Sequence, residues 1–188
     1  MEHIIIVTDN DFGITETKNT NEPITRYGAR GIVINDEGKI AVINKQKKNE
    51  YKLPGGGIDS GEDEKSAFER ECKEELGVNV KIIEELGTVK EYKSKENFKQ
   101  ISYVFVAEKK EELESNNLTE KEKAECTRYL WLDIEDALLK MKECLNNLKE
   151  SEYDNVYRTK FMVLRDIRIL EYYIKNKKQL LFYSWYST

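Results

Sequence analysis

Histidine is almost absent from this sequence: His3 is the only one in 188 residues. A Ser-His-Asp triad and a histidine-based zinc site both depend on imidazole side chains, so these two classes of site are almost excluded. Acid-base chemistry in this chain must therefore use carboxylates, lysine, tyrosine or metal-bound water.

Cysteine is also scarce, and its spacing matches no common motif. The three cysteines, Cys72, Cys126 and Cys144, form no CxxC pair. An odd number of cysteines without metal-binding spacing indicates reduced thiols, as found in cytosolic proteins.

Long hydrophobic runs are missing as well. The apolar residues 4–7 form too short a segment for a signal-peptide core, and no basic region precedes them. No apolar run approaches the roughly 20 residues that a membrane-spanning helix needs. We therefore expect a cytoplasmic protein with no membrane partner.

The chain has no excess of positive charge. Lys and Arg total 31 against 36 Asp and Glu, giving a net charge of −5 and a pI of about 5.3. Because lysine and glutamate are interspersed, no surface is predicted to bind a nucleic-acid polymer, although individual lysines could meet a small phosphorylated ligand. The length suits one domain with a core of its own.

Hydrophobic periodicity predicts alternating strands and helices with short connections. Strands are predicted at residues 3–8, 28–35, 39–45, 51–53, 78–92, 101–107 and 129–132, with a hairpin turn at 36–38 and a charged connection at 93–100. Helices are predicted from Ser60 or Gly61 to Gly77, at 133–149 and at 156–175. The apolar stripe of the last helix is formed by Phe161, Leu164, Ile167, Leu170 and Ile174.

Residues 55–78 carry the most informative pattern in the chain. A glycine loop leads into a helix on which Glu71, Glu74 and Glu75 fall within an arc of about 100°. Like charges at such spacings repel one another, which is explicable if a divalent cation binds among them. Ligand sets made of oxygen atoms suit Mg²⁺, Mn²⁺ or Ca²⁺.

This segment resembles the Nudix box, the signature of the Nudix hydrolases. The family pattern is Gly, five residues, Glu, seven residues, Arg-Glu, aliphatic, any residue, Glu-Glu, any residue, Gly, aliphatic. It matches from Gly56 to Val78, and the one soft departure is Cys72 at the first aliphatic position. The resemblance implies an α/β/α sandwich with a mixed sheet. One domain of residues 1–188 would have its core at about 26–140, a strand-bearing N-terminal extension at 1–25 and a helical C-terminal extension at 141–188.

The resemblance also implies an activity, which is hydrolysis of a pyrophosphate linked to another group X, usually in a nucleoside diphosphate-X. Glu71, Glu74 and Glu75 would hold one to three Mg²⁺ ions, with Mn²⁺ as a possible substitute. One of these glutamates would also orient or deprotonate the attacking water. The remaining box positions have supporting roles: a Gly55 carbonyl on the metal, Gly56 for close packing, Glu62 and Arg70 for loop geometry, and Gly77 as the helix C-cap.

Residues outside the box supply further candidates. Many Nudix enzymes recruit another acidic residue before the last core strand, and Glu125 fits best by its distance from Trp131, ahead of Glu122 and Glu120. Each could equally be a solvated loop charge. Arg30 could face the substrate phosphates, and Tyr51 could stack on a base or lie in the core.

Several alternatives stay open. An intact box favours an enzyme over a Nudix-fold module that senses a nucleotide without cleaving it. The substrate could be ADP-ribose or another nucleotide sugar, a noncanonical nucleoside triphosphate or a dinucleoside polyphosphate. The aromatic tail at 179–188 could pack on the chain's own core, cover the substrate or support a homodimer.

Overall fold

A computed structural model describes residues 1–113, 126–148 and 155–186, with side chains up to residue 177 in the last segment. The strands are β1 (His3–Thr8), β2 (Ile24–Ile34), β3 (Ile40–Lys45), β4 (Glu50–Lys52), β5 (Gly55–Gly57), β6 (Val78–Lys93), β7 (Phe98–Glu112) and β8 (Thr127–Leu132). The helices are α1 (Glu64–Leu76), α2 (Ile134–Asn146) and α3 (Val156–Tyr186).

The eight strands form one mixed sheet in the order β1-β6-β7-β2-β3-β4, with β5 paired to β2 and β8 paired to β3. The β1–β6 and β2–β7 pairs are parallel, and the other pairs are antiparallel. Helix α1 covers one face of the sheet, while α2 and α3 cover the other. The predicted α/β/α sandwich with a mixed sheet, an N-terminal strand and a C-terminal helix is confirmed.

Alternate residues of β2 separate two hydrophobic cores, because successive side chains of a strand point to opposite faces. Ala29 and Val33 pack with the α1 residues Phe68 and Cys72, and Ile32 packs with α2 and α3. Each fully buried large apolar side chain contributes roughly 1.5–3 kcal/mol. The predicted stripe of α1, which is Ala67, Phe68, Cys72 and Leu76, is buried throughout.

Helix α1 begins later than predicted. Asp63 is its N-cap and accepts a hydrogen bond from the Ser66 amide at 2.8 Å, whereas Gly61 has a φ of +85° and cannot be helical. The predicted start at Ser60 or Gly61 is therefore wrong, because the Asp63 carboxylate satisfies the free amides of the first turn. Gly77 ends the helix in the left-handed conformation, as predicted.

The charged connection predicted at residues 93–100 is a tight turn between two long strands. β6 runs to Lys93 and β7 starts at Phe98, with Asn97 in the left-handed conformation that asparagine tolerates better than most residues. β2 also starts before the predicted residue 28, since Ile24 pairs with Phe98.

Helix α3 extends well beyond the predicted residue 175, to Tyr186. In its predicted stripe Phe161, Ile167 and Leu170 are buried, and Leu164 and Ile174 are half-buried. The side chains of the tail at 179–188 lie outside the described residues, so its role stays a prediction. In the part of the chain that the structure describes, none of the helices is both long and apolar enough to cross a membrane.

Candidate metal and substrate site

Arg70 holds the carboxylates of the box loop and helix together. Its guanidinium donates to both oxygens of Glu62 at 3.0 and 3.1 Å, to Glu71 at 2.9 Å, to Glu74 at 3.1 Å and to the Gly57 carbonyl at 2.9 Å. The hydrogen bond to Arg70 lowers the pKa of Glu62, and Glu62 in turn raises the pKa of Arg70. One side chain thus fixes the loop against the helix.

Glu75 connects the helix to the start of the glycine loop. It is almost fully buried, accepts the Gly55 amide at 2.8 Å and pairs with Lys52 at 2.5 Å. Gly55 has a φ of +134°, and a β-carbon there would lie 2.3 Å from the Ala29 carbonyl oxygen. No other residue type can adopt this conformation in this space.

Glu71 lies directly against Gly56. A β-carbon at residue 56 would lie 2.2 Å from the Glu71 Oε1 atom, so glycine leaves the room that this carboxylate occupies. Burial raises the pKa of Glu71, the nearby Glu75 raises it further, and Arg70 opposes both effects. A carboxylate that is buried beside another carboxylate is stabilised by an added cation.

The donor set fits a hard divalent cation. Glu71, Glu74 and Glu75 lie on consecutive turns of α1 and offer carboxylate oxygens alone, which Mg²⁺ and Mn²⁺ prefer. Within the described ranges, no three acidic, histidine or cysteine side chains are grouped closely enough to enclose a metal ion. The carboxylate oxygens of Glu71 and Glu74 instead contact Arg70, and those of Glu75 contact Lys52. A metal ion would have to replace some of these contacts.

A cavity of about 400 Å³ opens next to Gly55, between the sheet and α3. The basic residues that line it are Arg26, Arg30, Lys45, Lys52, Lys93, Arg158 and Arg165. The acidic lining residues are Glu91 and Glu96. Such an excess of positive charge inside a concave surface attracts anionic ligands.

The deepest charges of this cavity form a network that is almost completely buried. Arg165 donates to Glu91 at 3.0 Å and to Asp166 at 2.7 Å, and Lys93 donates to Glu91 at 3.0 Å. Burial opposes the ionisation of Glu91, yet Arg165 and Lys93 lower its pKa to about 2. Burial and then the charge of Arg165 lower the pKa of Arg30 to about 10, so Arg30 stays protonated at neutral pH.

Helix α3 is attached to the loop that precedes Gly55. The Asp166 carboxylate accepts the Leu53 amide at 2.9 Å through Oδ2 and the Arg165 Nε at 2.7 Å through Oδ1. All three residues are buried. The helix that lines the cavity therefore also positions the backbone leading into the glycine loop.

The residues predicted outside the box have different locations. Arg30 lines the cavity and donates to the Ser102 hydroxyl at 3.1 Å. Tyr51 packs among apolar side chains beneath α2, with the Lys140 ammonium 5.8 Å from its ring, and does not line the cavity. Glu120, Glu122 and Glu125 lie outside the described residues, so their role stays a prediction.

Sequence reasoning missed the contribution of α3 to the cavity. Arg158 and Arg165 lie three and four residues from Phe161, on the same helix face as this buried residue. Arginines on the apolar face of a helix are a signal that could have indicated a buried charged site. Lys93 follows the same rule on β6, where it shares a face with the buried Val89.

Comparison with known proteins identifies the family. The model of the NUDIX domain matches residues 25–153, which is more than half of the chain. Two solved structures share the fold: the E. coli ORF135 protein (TM-score 0.56, 16% identity, 85% of this chain and 96% of that one) and a NUDIX hydrolase from Nitrosomonas europaea (TM-score 0.58, 14% identity, 81% and 90%).

Curated relatives match over shorter stretches. An RNA pyrophosphohydrolase of Pelagibacter ubique is 35% identical over 75 residues, covering 38% of this chain and 48% of that protein. A MutT-like protein of Streptomyces ambofaciens is 28% identical over 71 residues, covering 38% and 46%. The chain thus spans about half the length of these curated relatives. With the box intact from Gly56 to Val78 and the domain model matched across most of the sheet, this chain belongs to the Nudix family.

Proposed function

We propose that this protein is a Mg²⁺-dependent hydrolase that cleaves a pyrophosphate bond in a nucleoside diphosphate-X substrate. The observation that carries the proposal is the position of the Glu71 carboxylate. It lies against Gly56, is close to Glu75 and accepts a hydrogen bond from Arg70. Buried neighbouring carboxylates with oxygen atoms alone as donors are suited to a divalent cation. Membership of the Nudix family and relatives called RNA pyrophosphohydrolases support the reaction type.

The reaction is attack of water on phosphorus. The water oxygen forms a new P–O bond, the bridging P–O bond breaks, and the bridging oxygen leaves with the other phosphate. Bound Mg²⁺ supplies charge neutralisation and activation of the water. Glu71, Glu74, Glu75 and the Gly55 carbonyl would hold it, with Mn²⁺ as a substitute.

The chain's own residues bind and position the substrate. One box glutamate accepts the proton that water loses, while Arg70 and Glu62 keep the loop and helix in register. Arg30 lies in the cavity next to Gly55, where it can donate to a phosphate oxygen. We retain Tyr51 as a candidate contact to a base and Glu125 as a candidate acidic residue.

The wider assignments belong to the same proposal. The chain is treated as one domain with a core at about 26–140, in a cytoplasmic protein that acts on a small nucleotide derivative. No nucleic-acid polymer is expected as substrate, given the net charge of −5. A homodimer is expected to use β1 or the 179–188 tail, and a monomer at micromolar concentration in light scattering would contradict this.

The test is a hydrolysis screen over nucleotide sugars, noncanonical nucleoside triphosphates and dinucleoside polyphosphates, each with Mg²⁺, Mn²⁺ or EDTA. Products are detected by coupled phosphate release and identified by mass. Metal-dependent release of a nucleoside monophosphate supports the proposal. A short RNA with a 5′-triphosphate is included, and cleavage of this RNA alone would overturn the small-molecule assignment.

The second candidate is a nucleotide-sensing module without turnover. One observation favours this second candidate. Arg70 and Lys52 contact Glu71, Glu74 and Glu75, and these contacts must change before a metal ion can bind. A silent screen combined with nucleotide binding in calorimetry would support this reading.

A further inference from the structure

The cavity beneath α3 contains more buried positive charge than its own carboxylates balance. Arg30, Lys93 and Arg165 are at most 7% exposed, and the carboxylates buried beside them are Glu91, Asp166 and Glu75, of which Glu75 pairs with Lys52. With Lys52 counted, four cations thus face three anions. A buried charge without a counter-ion is strongly unfavourable, so this group is stabilised by an added anion.

Arg30 is the cation that these carboxylates leave unmatched. Its Nε donates to the Ser102 hydroxyl, and it makes no ion pair with a carboxylate of the described residues. The rest of its guanidinium lines the cavity. Burial lowers the pKa of Arg30, and the like charge of Arg165, which lines the same cavity, lowers it further.

The box does not supply the missing anion. Glu75 is near enough to act on Arg30, but it binds the Gly55 amide and Lys52 and is one of the assigned metal ligands. On the proposed function, divalent cations held by the box would balance the charge of the scissile pyrophosphate. An anion for the Arg30 end must therefore come from another part of the ligand.

The form of the cavity limits what that ligand can be. Its volume of about 400 Å³ lies in the range of small-molecule sites. It extends from Gly55 to Arg158, with Phe98 and Met162 as apolar contacts for a carbon skeleton. Guanidinium groups such as those of Arg26 and Arg30 bind phosphate oxygens in pairs.

We propose that this cavity binds a second phosphoryl group of the substrate, outside the scissile pyrophosphate, and so selects small pyrophosphates that carry a further phosphate. The inference takes the position of the scissile pyrophosphate from the proposed function. It adds a substrate class and makes Arg30, Arg26, Lys93 and α3 the recognition surface for the additional phosphate.

Matched compound pairs test this directly. NADP⁺ and NAD⁺, coenzyme A and dephospho-coenzyme A, and diadenosine tetraphosphate and diphosphate each differ in phosphate groups beyond one pyrophosphate. Binding of both members is measured by calorimetry in EDTA, where turnover is blocked. We expect the more phosphorylated member of at least one pair to bind about 10- to 100-fold more tightly, as for hydrogen bonds between charged groups.

Three variants locate the preference. Arg30→Gln should remove most of the preference for the more phosphorylated compound. Arg26→Gln should reduce this preference severalfold, and because Arg26 is exposed, the substitution does not threaten folding. Arg128→Gln, an exposed arginine on β8 that does not line the cavity, should leave it unchanged. Equal affinity for both members of every pair, or a preference that survives in both cavity variants, overturns the inference.

Turnover with Mg²⁺ separates this inference from the proposed function. Cleavage of both members of every pair at equal rates and affinities would contradict the inference and leave the proposed function standing. A binding preference that depends on Arg30, without cleavage of any compound, would support the cavity assignment and sink the hydrolase.

Discussion

Two charged groups meet at Gly55 and differ in how the chain builds them. The acidic group, which consists of Glu62, Glu71, Glu74 and Glu75, comes from one continuous segment. Arg70 holds Glu62, Glu71 and Glu74, while Glu75 is buried and pairs with Lys52. The cationic group, which consists of Arg30, Lys93 and Arg165, comes from β2, β6 and α3 and is buried.

On the two proposals above, this difference would separate chemistry from recognition. In the acidic group, Arg70 and Lys52 occupy oxygens that a metal ion would use. The cationic group is fixed by burial and by the carboxylates of Glu91 and Asp166. A change in the first group should therefore act on turnover, and a change in the second on stability and substrate choice.

The largest expected effect is on turnover. Glu74 is the most exposed of the three assigned ligands, so Glu74→Gln should leave the fold intact and reduce kcat by about 10²- to 10³-fold through a weakened metal site. Rates with Mg²⁺ and thermal unfolding measure the two quantities. Glu69→Gln on the same helix is the control, and a near wild-type rate for Glu74→Gln would show that the metal assignment is wrong.

Glu91→Gln tests the buried group and should act on stability. Removing this carboxylate leaves Lys93 buried without its partner, which costs about 3–5 kcal/mol, whereas Glu96→Gln, at a more exposed pair with Arg158, should cost about 1 kcal/mol at most. Urea denaturation measures both. Similar losses in the two variants would contradict the difference between buried and exposed pairs.

The stabilisation that Glu91 provides should also depend on pH. The pKa of Glu91 is depressed from 4.5 to about 2 in the folded protein, so its ionised form stabilises the fold above pH 4.5. This contribution is lost as pH falls toward 2, and the stability difference between wild type and Glu91→Gln should narrow in that window. A difference that stays constant down to pH 2 would show that Glu91 is not held ionised.

Arg70→Lys should have an intermediate effect on turnover. One ammonium group cannot reach Glu62, Glu71 and the Gly57 carbonyl together, so the metal ligands lose their orientation. We expect a loss of about 10- to 100-fold in kcat/KM, as for other residues that orient metal ligands. Steady-state kinetics beside Arg128→Lys decides this, and equal kinetics would mean that Arg70 does no more than balance charge.

The smallest effect is expected at Ser102. Ser102→Ala removes the one hydrogen bond that the Arg30 Nε donates to the described residues, at a cost of about 1–2 kcal/mol in stability, while Thr25→Ala at an exposed hydroxyl should cost almost nothing. Chemical denaturation compares the two. No difference between them would show that Arg30 does not depend on this contact.

The sequence allowed prediction of the acidic group because its residues lie on one loop and one helix. The spacing of Glu71, Glu74 and Glu75 fixes their common face, and the periodicity of the strands indicated the sheet. The start of α1 was misplaced because the capping by Asp63 depends on a local hydrogen bond that several nearby residues could have made.

The cationic group could not be predicted because its proximity depends on strand order and helix docking. Arg30 and Arg165 are far apart in sequence and come together when α3 packs beside β2 and β6. The position of α3 across the sheet near Gly55 cannot be derived from a single sequence. This helix was therefore predicted as an extension outside the core. Tyr51 beneath α2 shows the same limit, since its position depends on which helix covers β4.

The hydrogen bond from the Leu53 amide to Asp166 also joins two segments that leave the ribosome at different times. Leu53 is synthesised long before α3, and a domain generally folds as a unit. Until α3 follows, the loop before Gly55 lacks its anchor and the cavity lacks Arg158 and Arg165. A nascent chain with every strand of the sheet complete would therefore still lack the α3 residues of the proposed recognition surface.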